Sequence, residues 1–243
     1  MTSYMSLVML PWSIKILYGL ISDNVPILGY RRKSYVIMMG VIESISLLCI
    51  YMLETKSGFA IVCFLGTTSL CLAFVNVVVD AIMCIQARKD PNNGSQDLMS
   101  VAWLAQGVGG VTGCVLGGYI TEYGNPKTAY IIMSIMGFII GLNGLFLTQE
   151  CEEAEDQEAQ EVRDQNTFWV NLKKNLGQIY SALQMPEIYL VLTYFILSGL
   201  MSPSFGGFNY YFMMNVAHVT KFQFAMFGVI SRACHILGTM YYK

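Results

Sequence analysis

Residues 59–85 read FAIVCFLGTTSLCLAFVNVVVDAIMCI, an unbroken apolar run whose single charged residue is Asp80. Crossing the hydrocarbon core of a bilayer takes about 20 mostly apolar residues in helical form, because the backbone must satisfy its own hydrogen bonds there. The run is long enough, lacks the strict apolar–polar alternation of a half-buried strand, and is bracketed by Lys56 on one side and by Arg88 and Lys89 on the other. It reads as a transmembrane helix. Working outward, runs of the same kind fall at 35–53, 98–120 and 128–148, then at 4–22, 187–214 and 222–242. The separators are short and carry the turn-forming and polar residues: DNVPILGYRRK from Asp23, ETKSG from Glu54, RKDPNNGSQD from Arg88 and EYGNPK from Glu122. About seven spans follow, and with them an all-α integral, multi-pass membrane protein.

Composition agrees with the run-by-run reading. The 243 residues are 55% hydrophobic and 12% charged, half the roughly 25% charged of an average soluble domain. Mean hydropathy is +0.52 over the whole chain, which excludes a soluble enzyme carrying one anchor or a signal peptide. The formal charge of −2 hides an asymmetry: eight acids (Glu150, Glu152, Glu153, Glu155, Asp156, Glu158, Glu161, Asp164) lie within 150–164, and the rest of the chain has eight acids against thirteen bases.

Positive charge sets the orientation. Placing Arg31, Arg32 and Lys33 in the cytoplasm puts Arg88, Lys89, Arg163, Lys173 and Lys174 there too, leaving Lys56, Lys127 and Lys221 outside. The first span then runs from outside to inside. Residues 149–186 form a long cytoplasmic connection whose acidic first part is expected to be a solvated, disordered linker. In its second part Phe168, Leu172, Leu176, Ile179 and Leu183 recur at helical spacing, which fits either a helix in the membrane interface or one packed on the end of the bundle. The organisation expected is 1–148 as most of one helix bundle, 149–186 as a central loop, and 187–243 as the start of a second bundle.

At the first loop the sequence becomes specific. The residues from Pro11-Trp12-Ser13-Ile14-Lys15 through Gly19-Leu20-Ile21-Ser22-Asp23, followed by Pro26 and Gly29-Tyr30-Arg31-Arg32-Lys33-Ser34-Tyr35, resemble the signature of the folate–biopterin transporter family, a branch of the major facilitator superfamily. Asn76-Val77-Val78-Val79-Asp80-Ala81 with Ala87-Arg88, and Pro203-Ser204 followed by aromatics, agree with it. The resemblance implies a major-facilitator-type bundle of about twelve helices in two halves, of which the spans here resemble the second to eighth. On that alignment the first family helix and the last four are missing, and the chain is expected to be a fragment or truncated gene model. It further implies secondary active transport of folates, pterins or, in some relatives, S-adenosylmethionine by alternating access, with a proton as a coupling ion. A non-transporting partner or scaffold is the rival reading. The partners implied are a small-molecule substrate and the lipid bilayer, with no nucleic acid and no bound cofactor.

Ionisable residues at membrane depth are costly and are functional candidates by default. Lys15 lies eight residues before Asp23 and Asp80 eight before Arg88, so each sits about 12 Å from the cytoplasmic edge. An ion pair between them is compatible with that depth. Glu43 and Arg232 reach the membrane interior from other directions. On the functional reading Asp80 accepts a proton or holds the pterin ring, while Arg232 or Lys15 receives a carboxylate; on the other, these charges hold helices in register. Asn76 joins this group, one turn from Asp80.

The span 187–214 contains Ser198-Gly199 and Ser202-Pro203-Ser204-Phe205-Gly206-Gly207, and a break is expected because proline removes a backbone bond and glycine weakens a helix. Phe208, Tyr210 and Asn209 beyond it suit a flat heterocycle, or else simply pack. Gly109, Gly113 and Gly117, with Gly110 and Gly118 beside them, suggest close helix packing. Gly19, Asp23, Gly29, Arg31, Arg32 and Arg88 form the loop motif, which by resemblance latches the cytoplasmic side and independently fixes topology. Cys49, Cys63, Cys71, Cys84, Cys114 and Cys234 lie inside apolar runs and read as small core residues. His218 and His235 have no partners at metal-ligand spacing, so no metal site is expected.

Overall fold

The computed structural model describes residues 2–25, 27, 32–52, 58–90, 93–147, 173, 177, 181, 183–201 and 206–242, with backbone only at 2–5, 23, 24, 187, 206 and 242. The helices are α1 (Thr2–Ser13), α2 (Lys15–Asn24), α3 (Lys33–Met52), α4 (Gly58–Ala87), α5 (Gly94–Tyr123), α6 (Thr128–Asn143, extended by a 3-10 turn over Gly144–Phe146), α7 (Pro186–Met201), α8 (Gly206–Asn215) and α9 (Lys221–Tyr242). Four are long and apolar enough to cross a membrane: Lys33–Met52, Gly58–Ala87, Gly94–Tyr123 and Thr128–Phe146. The chain is thus an integral multi-pass membrane protein built of helices. α4 and α5 have 30 residues each, about 45 Å at 1.5 Å per residue, so their ends project beyond the hydrocarbon. That is why α5 starts at Gly94 rather than at the apolar boundary at 98: its first turn is polar and carries Asp97.

The first expected span is two helices. Pro11 lies inside α1, where it supplies no N–H and crowds the preceding turn; the helix ends two residues later and restarts at Lys15, with Ile14 off helical geometry at φ −108°, ψ 23°. Sequence reasoning read 4–22 as continuous because the proline stands in an otherwise apolar run. Of the sixth, Pro186–Met201 and Gly206–Asn215 are helical, and residues 202–205, where the break is expected, lie outside the described residues. The pair Ser198-Gly199 does not interrupt α7, which runs through it. A glycine costs a helix about 1 kcal/mol, less than the several kcal/mol of an unsatisfied backbone group in lipid. Of the expected interfacial helix, Phe168, Leu172, Leu176 and Ile179 lie outside the described residues, as do the acidic stretch and Cys151, whereas Lys173, Gly177, Ser181 and Leu183 are helical.

α3 packs along α6 and α4, α4 also meets α1 and α2, and α5 lies along α9. The α2–α3–α4 contact buries Tyr18, Tyr35, Val36, Met39, Phe74 and Val78, while other large apolar side chains such as Phe146 (80% exposed) and Leu200 (76%) face outward, as lipid allows. Where α3 crosses α6 the backbones touch: a methyl on Gly40 would stand 2.6 Å from Gly141 Cα and 2.9 Å from the Gly137 carbonyl oxygen. Between α5 and α9 the close approach uses Gly107 against Ile236, Gly110 against Arg232, and Gly118 against Ala225. The stripe Gly109, Gly113 and Gly117, to which the four-residue spacing pointed, has nothing within 4 Å of it. Close packing is present, but on the neighbouring face, because α9 meets α5 along the 107–110–118 line.

Beneath the loop motif an aromatic trio joins three helices. Tyr18 of α2 and Tyr35 of α3 bracket Phe74 of α4, with ring centroids 5.3 and 5.0 Å away, and the Tyr35 hydroxyl donates to the Val25 carbonyl at 2.8 Å. α9 opens with a capping box: the Thr220 N–H donates to Gln223 Oε1 at 3.0 Å and the Gln223 N–H to Thr220 Oγ1 at 3.2 Å. Of the cysteines read as core, Cys71 alone is buried; Cys49 and Cys114 are half-buried, and Cys63, Cys84 and Cys234 are exposed and free. In a membrane helix a small apolar thiol needs no burial, since lipid solvates it as well as a core does.

Candidate functional site

The break between α1 and α2 puts Lys15 at the first residue of a helix. A lysine at an N-terminus is unfavourable with the helix dipole, and its ammonium is held by what faces it. Lys15 Nζ donates to Asn76 Oδ1 of α4 at 2.6 Å and stands 4.5 Å from the centroid of the Trp12 ring. Lys15 and Asn76 are half-buried. The contact brings together two residues singled out by sequence, and the partner of Lys15 is the neutral amide of Asn76 rather than the Asp80 carboxylate that its depth also allows. Asp80, one helical turn or about 6 Å further along α4, is exposed and forms no ion pair among the described residues. Asn76 and Asp80 share one face of α4 at i, i+4 spacing. Among the described residues Lys15 therefore forms no ion pair, and the Asp80 carboxylate lies one turn along α4 from the amide that holds it.

A second feature lies between α5, α8 and α9. A cavity of about 560 Å³ is lined by Cys114, Asn209, Met213, Phe224, Gly228 and Ser231, among others. Of the three α8 residues proposed for stacking and hydrogen bonding, Asn209 faces it; Tyr210 stands edge-on to the Phe224 ring at 5.3 Å, and Phe208 stacks with Phe212 at 6.3 Å and is 70% exposed. Arg232 follows Ser231 on α9, its aliphatic stem against Gly110 and its residue exposed. Had Gly110 carried a methyl, it would stand 2.9 Å from Arg232 Cδ, so this glycine sets where the guanidinium can lie.

The loop motif is only partly visible. Gly19 faces Val77 of α4, where an added methyl would find ordinary contact at 3.5 Å. Arg32 is half-buried just before α3, and Arg88 is exposed just past α4. Gly29, Arg31 and the Asp23 side chain lie outside the described residues, and with them every pairing expected of Asp23. Among the described residues no three His, Cys, Asp or Glu side chains gather as a metal site.

Sequence reasoning missed the roles of Trp12, Pro11 and the tyrosine pair. Pro11 and Trp12 stood in the quoted signature and carried the signal: a proline four residues before an intramembrane lysine, with an aromatic between.

The sequence model of the family described as the BT1 family matches residues 1–243. Among curated proteins, the chain is 33% identical over 165 residues to the probable folate-biopterin transporter 4 of Arabidopsis thaliana, covering 67% of this chain and 33% of that protein. It is 29% identical over 205 residues to the folate-biopterin transporter of a Synechocystis strain, covering 84% of this chain and 39% of that one. It is 22% identical over 213 residues to folate transporter 1 of Plasmodium falciparum, covering 87% and 39%. The chain thus spans about a third to two-fifths of the length of these relatives. No solved structure matches it.

Proposed function

The chain belongs to the BT1 family, and from that premise we propose that the full-length protein is a secondary active transporter that carries a folate- or pterin-type anion across a membrane by alternating access. The observation that carries the reading is Lys15 at the α1–α2 break, bonded to the neutral amide of Asn76 and in no ion pair among the described residues. A buried or half-buried ammonium held by a neutral amide and an aromatic ring is a receptor for an anion of the substrate. Arg232, beside the α5–α8–α9 cavity that Asn209 enters, offers a second cation for a ligand with more than one carboxylate.

Asp80 supplies the coupling in this proposal. It shares a face of α4 with Asn76 and is the candidate carrier of a coupling proton. The bundle is of the major facilitator type, with 1–148 and 187–243 belonging to opposite halves, and the α5–α9 contact is where one half slides on the other. The glycines on that contact keep it close enough to act as a bearing. The loop motif with Asp23, Arg31, Arg32 and Arg88 latches the cytoplasmic side in one state.

Uptake of tritiated folate and biopterin by cells expressing the full-length protein tests this. Uptake above vector controls is expected, with Asp80→Asn lowering it at least tenfold while surface protein is unchanged. A stably inserted full-length protein that moves neither compound would overturn the reading in favour of a non-transporting partner protein.

A further inference from the structure

One ionisable group lies deeper than those of the proposed transport site and away from them. Glu43, in the middle of α3, is 4% exposed, and its Oε2 has no hydrogen-bond partner among the described residues. It faces α6 where Gly137 makes room: a methyl there would stand 3.3 Å from Glu43 Cγ and Cδ. The polar groups alongside are already engaged with each other, the Ser134 hydroxyl donating to the Ser44 carbonyl at 2.9 Å with the two hydroxyl oxygens 3.0 Å apart. From α4 the titratable group that faces it is Cys71, 1% exposed and the electrostatic neighbour of Glu43. The titratable side chain of α6 is Tyr130, almost two turns from Gly137, and α6 has no charged residue.

An ionised carboxylate in that setting would be a bare charge in a low-dielectric contact between three helices, with neither a cation nor an N–H donor bonded to it among the described residues. The neutral acid leaves one oxygen unpartnered at far smaller cost and gains an O–H donor. We propose that Glu43 is a proton-binding site: its carboxyl holds a proton in the packed arrangement of α3, α4 and α6, and loss of that proton loosens α6 from α3. This rests on neither the substrate nor Asp80. The sign follows from linkage: the packed state binds more protons than the opened one, so the packing weakens as pH rises.

Dicyclohexylcarbodiimide, which is apolar and reacts with a protonated carboxyl, is the probe. Its central carbon bonds the carboxyl oxygen, and the carboxyl proton moves to one of its nitrogens. The full-length protein in membranes is treated at about pH 6 and about pH 9, a range in which an ordinary carboxyl near pKa 4.3 stays ionised, and modified peptides are identified by mass spectrometry. Glu43 is expected to be labelled at the lower pH several-fold more than the exposed Glu122, and to lose that labelling as pH rises. Labelling no greater than that of Glu122 across the range counts against the site. Thermal stability of Glu43→Gln decides where the reagent fails to reach: the variant is expected to match wild type at about pH 6 and to lack the wild-type decline towards about pH 9. A Gln variant already destabilised at the lower pH would mean that the charge, not the proton, holds the helices, and would overturn the proposal.

Discussion

Lys15 donates its 2.6 Å hydrogen bond to an amide, not to a carboxylate. On the proposed function the Lys15 charge is left for a ligand, and Asn76 is the residue that leaves it so. Replacing Asn76 by Asp puts an anion within hydrogen-bond reach of Lys15. The pair then neutralises itself, and the substrate must displace a buried carboxylate to bind. Asn76→Asp is therefore expected to lower folate uptake at least tenfold, about 1.4 kcal/mol, with thermal stability unchanged or raised; uptake at the wild-type level would contradict the anion-receptor reading. The sequence made Lys15, Asn76 and Asp80 visible as polar residues at a shared depth. It did not show which of the α4 residues Lys15 would choose, because one turn along a helix is about 6 Å and the break at Ile14 shifts the start of α2. Tyr18 and Tyr35 went unremarked because a tyrosine in a membrane span is as easily an interface anchor as a packing group.

Elements in lipid are legible by apolar length, and the four long helices stand where the apolar runs place them. Faces are harder to read, since lipid and protein neighbours are equally apolar and no amphipathic stripe marks the packed side. The α5 glycines show it: the evenly spaced Gly109, Gly113 and Gly117 do not pack, and the set that does is Gly107, Gly110 and Gly118. Gly118→Leu is accordingly expected to reduce the yield of monodisperse full-length protein severely, because the Ala225 Cβ stands where the new side chain must begin, while Gly117→Leu leaves the yield near wild type. Equal yields would mean that α5 and α9 do not meet on this face. At the α3–α6 crossing the obstacle is backbone, which cannot swing aside. Gly40→Val should exceed the usual overpacking cost of about 1–3 kcal/mol and abolish the folded peak in size-exclusion chromatography.

Across the whole molecule, helices that belong to the early part of the chain, α3, α4 and α6, form one tight group, and α5 reaches away from it to α9. That division places Lys15, Asn76 and Asp80 on the first group and Arg232 and Asn209 at the α5–α9 contact, so a ligand spanning both sets would feel any movement between them. Membrane class and family signature were readable from residues 11–35 and 59–85 alone. The relation between the two groups was not, because it rests on which helices touch across a long connection, and apolar runs carry no record of that. The central claim is that Lys15 receives the substrate's anion. Equilibrium binding of tritiated folate to purified full-length protein, wild type against Lys15→Met, tests it most directly. A dissociation constant raised at least tenfold, about 1.4 kcal/mol, with an unaltered unfolding midpoint is the predicted result, and an unchanged dissociation constant in a folded variant would contradict it.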